Sequence, residues 1–470
     1  MNILQINTCD EGGGAERIAS DLNRIYQTKG YTANLMVGRK RTNNPGVIQF
    51  PVKLDLWQRL CFAAGHRLMK LAGSVRGAGW MSQRFFEIGQ PKKTWATQHG
   101  HEDFEFPNSW HLLDLLTENP DIIHCHNLHG GYFDLRYLSQ LSNKTPIIIT
   151  LHDAWLLSGH CAHSFACERW KTGCGQCPDL KIPPGILKDA TNYNWRLKER
   201  IYKTSCIYLA TPCNWLMQKV KQSILAPSII KSRIIPNGVD LSIFHPADMQ
   251  SVRKELGISQ NSTVILFVAN GFRQNIWKDS QTLMSAIELV AERCVNHKIL
   301  FIAVGENAHV EKIGKAEILF VPYQKDSAVV ATYYQAADIY IHAAKADTFP
   351  TTILEALACG TPVVATSVGG IPEQVRSLHT STIEDTGNRA RWSMGNCILS
   401  EFPSYTVKEA TGVLVPPGDA VAMAGAIEIL MKDEALRKRL SANAAKDACQ
   451  RFDFERCAND YLTWYQEIIG

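Results

Sequence analysis

The stretch Asp347-Thr348-Phe349-Pro350-Thr351-Thr352-Ile353-Leu354-Glu355-Ala356-Leu357-Ala358-Cys359-Gly360-Thr361-Pro362-Val363-Val364 carries the most information in the chain. Pro350 suits the first turn of a helix, where its missing N–H costs nothing, and Gly360 suits the exit, so the helix is expected from Pro350 to Cys359. Its first N–H groups, at Thr351, Thr352 and Ile353, have no partner within the helix and are poised for phosphate. Asp347 precedes the helix and Glu355 lies about one turn inside it, so two carboxylates can flank one ligand and accept from its hydroxyls. An acid favouring the helix dipole plus a solvated glutamate fits the isolated pair as well. The apolar run from Pro362 to Ala365 then reads as a strand.

Working outward, the same alternation recurs. Short apolar runs at Asn2–Asn7, Ala33–Val37, Asp121–His126, Pro146–His152 and Ile207–Thr211 are separated mostly by helix-length segments. A second series follows the polar stretch around 223–232, with strands at Arg233–Pro236, Thr263–Val268, Lys298–Val304, Ile318–Val321, Ile339–His342, Pro362–Ala365 and Val413–Val415. Helices fit between them, notably Ser280–Cys294 and Ala328–Ala337. This pattern predicts an α/β chain of two doubly wound, Rossmann-like domains with parallel sheets, and the cleft between such domains is the default ligand site. The expected division is residues 1–228, 229–452, and a C-terminal helix, 453–470, returning to the first domain. Residues 378–408 read as a polar excursion, and Ala435–Ile469 as helical.

Gly12-x-Gly14-x-x-Arg17 lacks the third small residue of a dinucleotide fingerprint, and no Gly-Lys-Ser/Thr follows, so neither a nicotinamide site nor a P-loop is supported. A glycine turn at a helix N-terminus still lets backbone N–H groups approach an anion or a sugar, and a tight turn without a ligand fits too.

Together, Asp347-x7-Glu355, Gly369-Gly370-Ile371-Pro372-Glu373, the Gly-Gly-Gly-Ala-Glu-Arg loop, Ile235-Pro236-Asn237-Gly238-Val239-Asp240, and Gly412-Val-Leu-Val-Pro-Pro-Gly418-Asp419 resemble retaining glycosyltransferases of family 4, which have the GT-B fold. Thr150-Leu151-His152-Asp153-Ala154-Trp155 with the cysteines after it, and Trp110 upstream of His124-x-His126-x2-His129-Gly130-Gly131, are most similar to the colanic-acid-type exopolysaccharide branch. The resemblance implies transfer of a sugar from a nucleotide-sugar donor to a glycan or lipid-linked acceptor, with the first domain binding acceptor and the second binding donor.

It also implies roles. Glu355 would hold ribose hydroxyls and Asp347 hydroxyls of the transferred sugar, while Arg273 and Lys278 would grip the diphosphate and stabilise the leaving nucleotide. Gly13 and Gly14, with Phe349, Thr351 and Thr352, complete the donor-binding set. The family's usual Glu and Gly are replaced by Asp347 and Pro350. His152, which ends an apolar strand at the ligand-binding face, would contact the donor sugar near the reacting carbon and join Asp347, Arg273 and Lys278 as catalytic. With no carboxylate assignable as a nucleophile, same-face substitution is expected, and no divalent metal is required at the diphosphate. His124 and His126 alternate by two and share one face of their strand, so they read as structural.

Cys161, Cys167, Cys174 and Cys177 place four thiols within 17 residues. In a reducing compartment this favours a structural zinc over disulfides, with free thiols the third reading. The other ten of the 14 cysteines are scattered.

Composition is ordinary for a globular chain, with 45% hydrophobic and 20% charged residues, which excludes disordered and collagen-like classes. No long uncharged apolar run exists, and the N-terminal stretch lacks the apolar segment of a signal peptide, so the expected location is the cytoplasm, or the inner face of the membrane peripherally. The formal charge of +4 is uneven: residues 53–93 hold eight Lys or Arg against two acids. Leu54–Leu71 within that block reads either as a helix docking on an anionic membrane surface or as one covering the N-terminal sheet. Nucleic acid is not expected as a partner. Two other functions remain open: a GT-B enzyme acting on the nucleotide-sugar alone, such as a 2-epimerase, and a catalytically idle sugar-nucleotide-binding partner.

Overall fold

Seven strands pair in the order β3-β2-β1-β4-β5-β6-β7. They are β1 (Asn2–Cys9), β2 (Thr32–Arg39), β3 (Val47–Gln49), β4 (Ile122–Cys125), β5 (Ile147–Thr150), β6 (Ile207–Thr211) and β7 (Ile229–Ile234), and every pairing is parallel. The computed structural model describes residues 1–51, 54–378, 403 and 405–470. Among these, a second seven-stranded sheet runs β10-β11-β9-β8-β12-β13-β14. Its strands are β8 (Thr263–Val268), β9 (Ile299–Val304), β10 (Glu311–Ile313), β11 (Ala316–Val321), β12 (Ile339–His342), β13 (Val363–Thr366) and β14 (Gly412–Val415), antiparallel only at the β10–β11 edge.

The chain divides into two compact units. The first comprises Met1–Thr211, Leu216–Ile234 and Leu462–Gly470, and the second Pro212–Trp215 and Ile235–Tyr461. Both sheets are of the Rossmann-like parallel kind read from the sequence, and their central strands are apolar runs buried on both faces, as a helix-covered parallel sheet requires. In the second unit, Ile265, Phe267, Phe301, Ile341, Val364 and Val415 from the strands meet Leu283, Ile287, Val290, Ile427 and Leu430 from the helices in one core.

Order reverses between β1 and β4 in the first sheet and between β8 and β12 in the second. Loops leaving the carboxyl ends of strands at such points are where open α/β sheets bind ligands.

The structure corrects or refines the expectations drawn from the sequence in several places. The strand expected at Arg233–Pro236 to open the second series is β7, which pairs with β6 and closes the first sheet; it is a mostly exposed edge strand, and its polar pattern does not reveal its partner. The segment read as helical over Ala435–Ile469 is two helices, Glu434–Arg451 and Phe454–Ile469. Phe452 O accepts from Val239 N–H at 2.8 Å and Phe454 N–H donates to Val239 O at 3.1 Å, so a backbone exchange with a distant loop interrupts the helix. Gly238 makes this approach possible: a Cβ there would lie 2.4 Å from Phe454 Cα. The strands β3 and β10 were unforeseen, each three residues long and at a sheet edge. Most of the excursion expected at 378–408, residues 379–402 and 404, lies outside the described residues.

The basic segment forms helices Leu56–Leu71, Ala78–Gly89 and Pro91–Gln98. Asp55 caps the first, accepting from Gln58 N–H at 2.7 Å while Gln58 Oε1 accepts from Asp55 N–H at 3.1 Å. It buries only Cys61 and Gly65, against the reading of a helix laid over the sheet. Instead the first two helices pack on each other, with Ser82 Oγ donating to Gly65 O at 2.8 Å and Phe62 meeting Phe86 edge-on at 5.5 Å.

Candidate functional site

In the second unit, the segment leading into the helix Ser280–Arg293 is stapled to the loop after β12. Lys345 N–H donates to Trp277 O at 2.9 Å and Asp279 N–H to Ala343 O at 3.1 Å. Asp279 also caps that helix through Thr282 N–H at 3.2 Å. Lys278, held between staple and cap, donates to Asp347 Oδ2 at 2.8 Å and to His342 Nε2 at 3.1 Å. His342 Nε2 also lies 3.4 Å from Asp347 Oδ2, and His342 Nδ1 lies 2.9 Å from Tyr340 Oη.

The electrostatics follow from this arrangement. Burial would raise the Asp347 carboxyl, but the Lys278 ammonium and the His342 contacts overcome it and hold the group well below the usual carboxylate range. Burial, then the Lys278 charge, lowers His342 to about 4. Near neutral pH the cluster therefore holds one anion, one cation and one neutral imidazole.

The helix that follows spans Thr351–Ala358, with Pro350 as its N-cap in extended geometry. It thus starts one residue later than read from Pro350's helix preference, and the Ile353 N–H, expected to be available, donates to Pro350 O at 3.3 Å. Thr351 and Thr352 form its first two positions. Glu355 is buried on this helix, with Tyr334 Oη donating to its Oε2 at 3.0 Å. Phe349 is buried edge-on to Phe452. Arg273 does not share the Lys278 cluster: its guanidinium pairs with Glu311 at 2.6 Å and lies over Phe320. Sequence reading missed His342, Tyr340 and Tyr334; the signal for His342 was its place at the end of an apolar strand, the position that singled out His152.

In the first unit, β1 leads through the glycine turn to the helix Gly14–Thr28, with Gly13 as N-cap. Gly13 N–H donates to Glu16 Oε2 at 3.1 Å, so an anion at Gly13 and Gly14 competes with a carboxylate of the same helix.

His152 follows β5. Its Nε2 lies 3.0 Å from His126 Nδ1, and the two rings stack at 5.3 Å. His126 Nε2 meets Gln5 Oε1 at 3.0 Å. His124 is bonded on both nitrogens, to Thr150 Oγ1 at 2.7 Å and Tyr465 Oη at 2.6 Å. Burial lowers His152 to about 4, with Asp153 pulling it up and His129 down. It lowers His124 to about 3 and His126 far below its ordinary value. His129, by contrast, is raised: burial opposes its charge, but Asp153 Oδ2 at 2.8 Å prevails. The reading of His126 as packing alone missed its bond to His152. Gln5, a polar side chain inside an apolar strand, was the available signal.

The loop after His152 is anchored from below. Lys198 is fully buried, donating to Trp155 O, Ser158 O and Glu102 at 2.9–3.0 Å, and sits 3.8 Å from the Trp155 ring. The four cysteines follow on this loop. Gly173, Cys174, Gly175 and Gln176 all have positive φ, turning the chain tightly between Cys174 and Cys177. Burial raises the thiols of Cys161, Cys174 and Cys177, and the charges of neighbouring cysteines add to it. Among the described residues, no three or more His, Cys, Asp or Glu stand grouped to hold a metal ion.

The three helices of the basic segment expose Leu56, Trp57, Leu60, Trp80 and Trp95, with Leu56 at 75% and Trp80 at 66%. No helix among the described residues is long and apolar enough to cross a membrane.

Two family profiles match the chain: Glycosyltransferase Family 4 over residues 63–243 and Glycosyl transferases group 1 over residues 248–394. The colanic acid biosynthesis glycosyl transferase WcaC of Escherichia coli K12 is 23% identical over 406 residues, 82% of this chain and 88% of that one. The N-acetyl-alpha-D-glucosaminyl L-malate synthase of Bacillus anthracis is 25% identical over 243 residues, half of this chain and 53% of that one. Among solved structures, Anabaena HepE in complex with UDP-glucose superposes with a TM-score of 0.58 at 16% identity, covering 99% of this chain and all of that one. This likeness shows the GT-B fold.

Proposed function

We propose, from the premise that the chain is a glycosyltransferase of the group 1 and family 4 type, that it moves a sugar from a nucleotide-sugar to a glycan or lipid-linked acceptor in surface polysaccharide synthesis, with retention of configuration. The observation carrying this reading is the Lys278–Asp347–His342 cluster at the sheet's switch point, with buried Glu355 one helix turn on. The UDP-glucose held by the HepE structure supports the donor class, and the colanic acid relative supports the setting.

Asp347 accepts from hydroxyls of the transferred sugar and Glu355 from those of the ribose. Lys278, Arg273 and the N–H groups at Thr351 and Thr352 bind the diphosphate, and Phe349, Gly13 and Gly14 belong to the same donor-binding set. Arg273 leaves Glu311 to do so. That positive charge suffices without a divalent metal. As the bond from anomeric carbon to diphosphate oxygen breaks, its electron pair leaves with the nucleotide. The acceptor oxygen bonds the same face of that carbon, and the acceptor proton passes to the departing diphosphate. His152 contacts the sugar at the reacting end.

Two accessory readings belong to the same proposal. The basic, apolar helices at 54–98 dock on an anionic membrane surface, where acceptor lipids reside. Cys161, Cys167, Cys174 and Cys177 hold a structural zinc through their deprotonated sulfurs; zinc absent from protein purified under reducing conditions rejects this.

The test of the main reading is a screen of nucleotide-sugars by melting temperature, followed by transfer assays. A ligand at 100 times its Kd stabilises the fold by about 2.7 kcal/mol. Glu355→Ala should abolish the shift and transfer together. Transfer unchanged in both Glu355→Ala and His152→Ala overturns the assignment.

A further inference from the structure

Behind His152, three side chains of the first unit form a directed chain of hydrogen bonds. Asn23 Oδ1 takes the Gln5 amide N–H at 3.5 Å, which turns Gln5 Oε1 toward His126 Nε2, 3.0 Å away. An amide oxygen only accepts, so His126 carries its proton on Nε2 and its Nδ1 is an acceptor. That acceptor lies 3.0 Å from His152 Nε2. The contact is a hydrogen bond only if His152 donates from Nε2, which makes His152 Nδ1 the lone-pair nitrogen. Gln5 is fully buried and His126 is 2% exposed, so bulk water does not substitute for either partner.

We infer that Gln5 and His126 are positioning residues that lock His152 in its Nε2–H tautomer, so that its ring offers an acceptor nitrogen to a hydroxyl of the donor sugar and disfavours a sugar with a carboxylate there. This rests on the reading of His152 as a sugar contact. A hydroxyl donates to Nδ1, whereas a carboxylate sets lone pair against lone pair. The groups around the relay keep it uncharged near neutral pH. His124 lies 4.2 Å from the His126 ring, and burial lowers His124, His126 and His152 alike. Of the neighbouring pair, Asp153 pulls His152 up and His129 pulls it down, so the two oppose each other.

The relay is tested on the full chain with ¹⁵N-labelled histidine. Long-range ¹H–¹⁵N spectra, with the signal assigned by its loss in His152→Ala, should show His152 protonated on Nε2. Gln5→Leu should lose that preference, and Gln5→Glu, which keeps an acceptor, should retain it. In transfer assays with UDP-glucose and UDP-glucuronate as probes, Gln5→Leu should lower kcat/KM for the neutral sugar roughly five- to tenfold and narrow the preference over the acidic one, while Gln5→Glu holds it. His152 protonated on Nδ1 in the unmodified protein overturns the proposal. So does a Gln5→Leu protein whose tautomer and donor preference are unchanged. If His152→Ala transfers normally, the sugar contact fails, while the spectra still decide the tautomer.

Discussion

The Asp347 carboxylate accepts from the Lys278 ammonium at 2.8 Å, and neither side chain is more than 20% exposed. On the proposed function, a sugar hydroxyl or a diphosphate oxygen arriving here would enter a charge pair that is already made. The pair would then be a preset template whose two ends are shared with the ligand.

Lys278→Met should therefore harm the protein before any substrate is added. It strands a buried carboxylate, which costs about 3 kcal/mol, visible as a lower urea midpoint, and it removes transfer. Adding Asp347→Asn should recover most of the stability while transfer stays absent. A double variant as unstable as the single one would show that the pair is not energetically coupled.

Acid should destabilise the fold in a defined window. His152 and His342 sit at about 4 in the native state against 6.5 for the free group. Above pH 6.5 both states are neutral and nothing is lost. As pH falls from 6.5 toward 4, the unfolded chain takes up protons that the native state refuses, so stability declines by on the order of 3 kcal/mol for each imidazole. Asp347, held low, adds a further loss only below its ordinary value of 3.8. Urea titrations from pH 8 to 4 should show the steepest decline between 6.5 and 4, and His342→Asn should flatten it.

Lys198→Met should cost about 3–5 kcal/mol, because Glu102 would lose its charge partner in the interior. The damage should fall on the loop after His152, whose Trp155 and Ser158 carbonyls Lys198 holds. Hydrogen exchange over 153–160 should quicken more than in the second unit. Equal protection in both proteins would show the loop to be held by other contacts.

The 54–98 helices should bind vesicles containing anionic phospholipid at low salt and release them as salt rises, since screening shortens the reach of surface charge. Trp57→Ala with Trp80→Ala should weaken binding in all salts, whereas Arg59→Gln with Lys70→Gln should weaken it mainly at low salt. No binding to such vesicles at low ionic strength removes the membrane from the reading.

The sheets were legible because a strand buried on both faces, such as Ile147–Thr150, leaves a plain apolar run in the sequence. Edge strands were not: Val47–Gln49 and Glu311–Ile313 are too short for any period, and Ile229–Ile234 has a polar face that names no partner. In the site, Lys278 and Asp347 were readable as residues but not as a pair, because 69 positions separate them and backbone staples such as Trp277–Lys345 and Asp279–Ala343 bring them together. The Gln5–His126–His152 relay draws on three different strands and their ends, which no local pattern connects. Arg273 shows the converse: its motif was legible, yet Glu311, from an unforeseen strand, claims its charge.

The helix Phe454–Ile469 carries one further consequence. Its last residues count with the first unit, where Trp464 and Tyr465 are fully buried and Tyr465 Oη meets His124 and Tyr26. The first unit therefore cannot mature in the order in which it is translated. Residues 1–234 emerge early yet wait for 462–470 to fill their core, so His124 acquires its tyrosine only after the second unit has been synthesised.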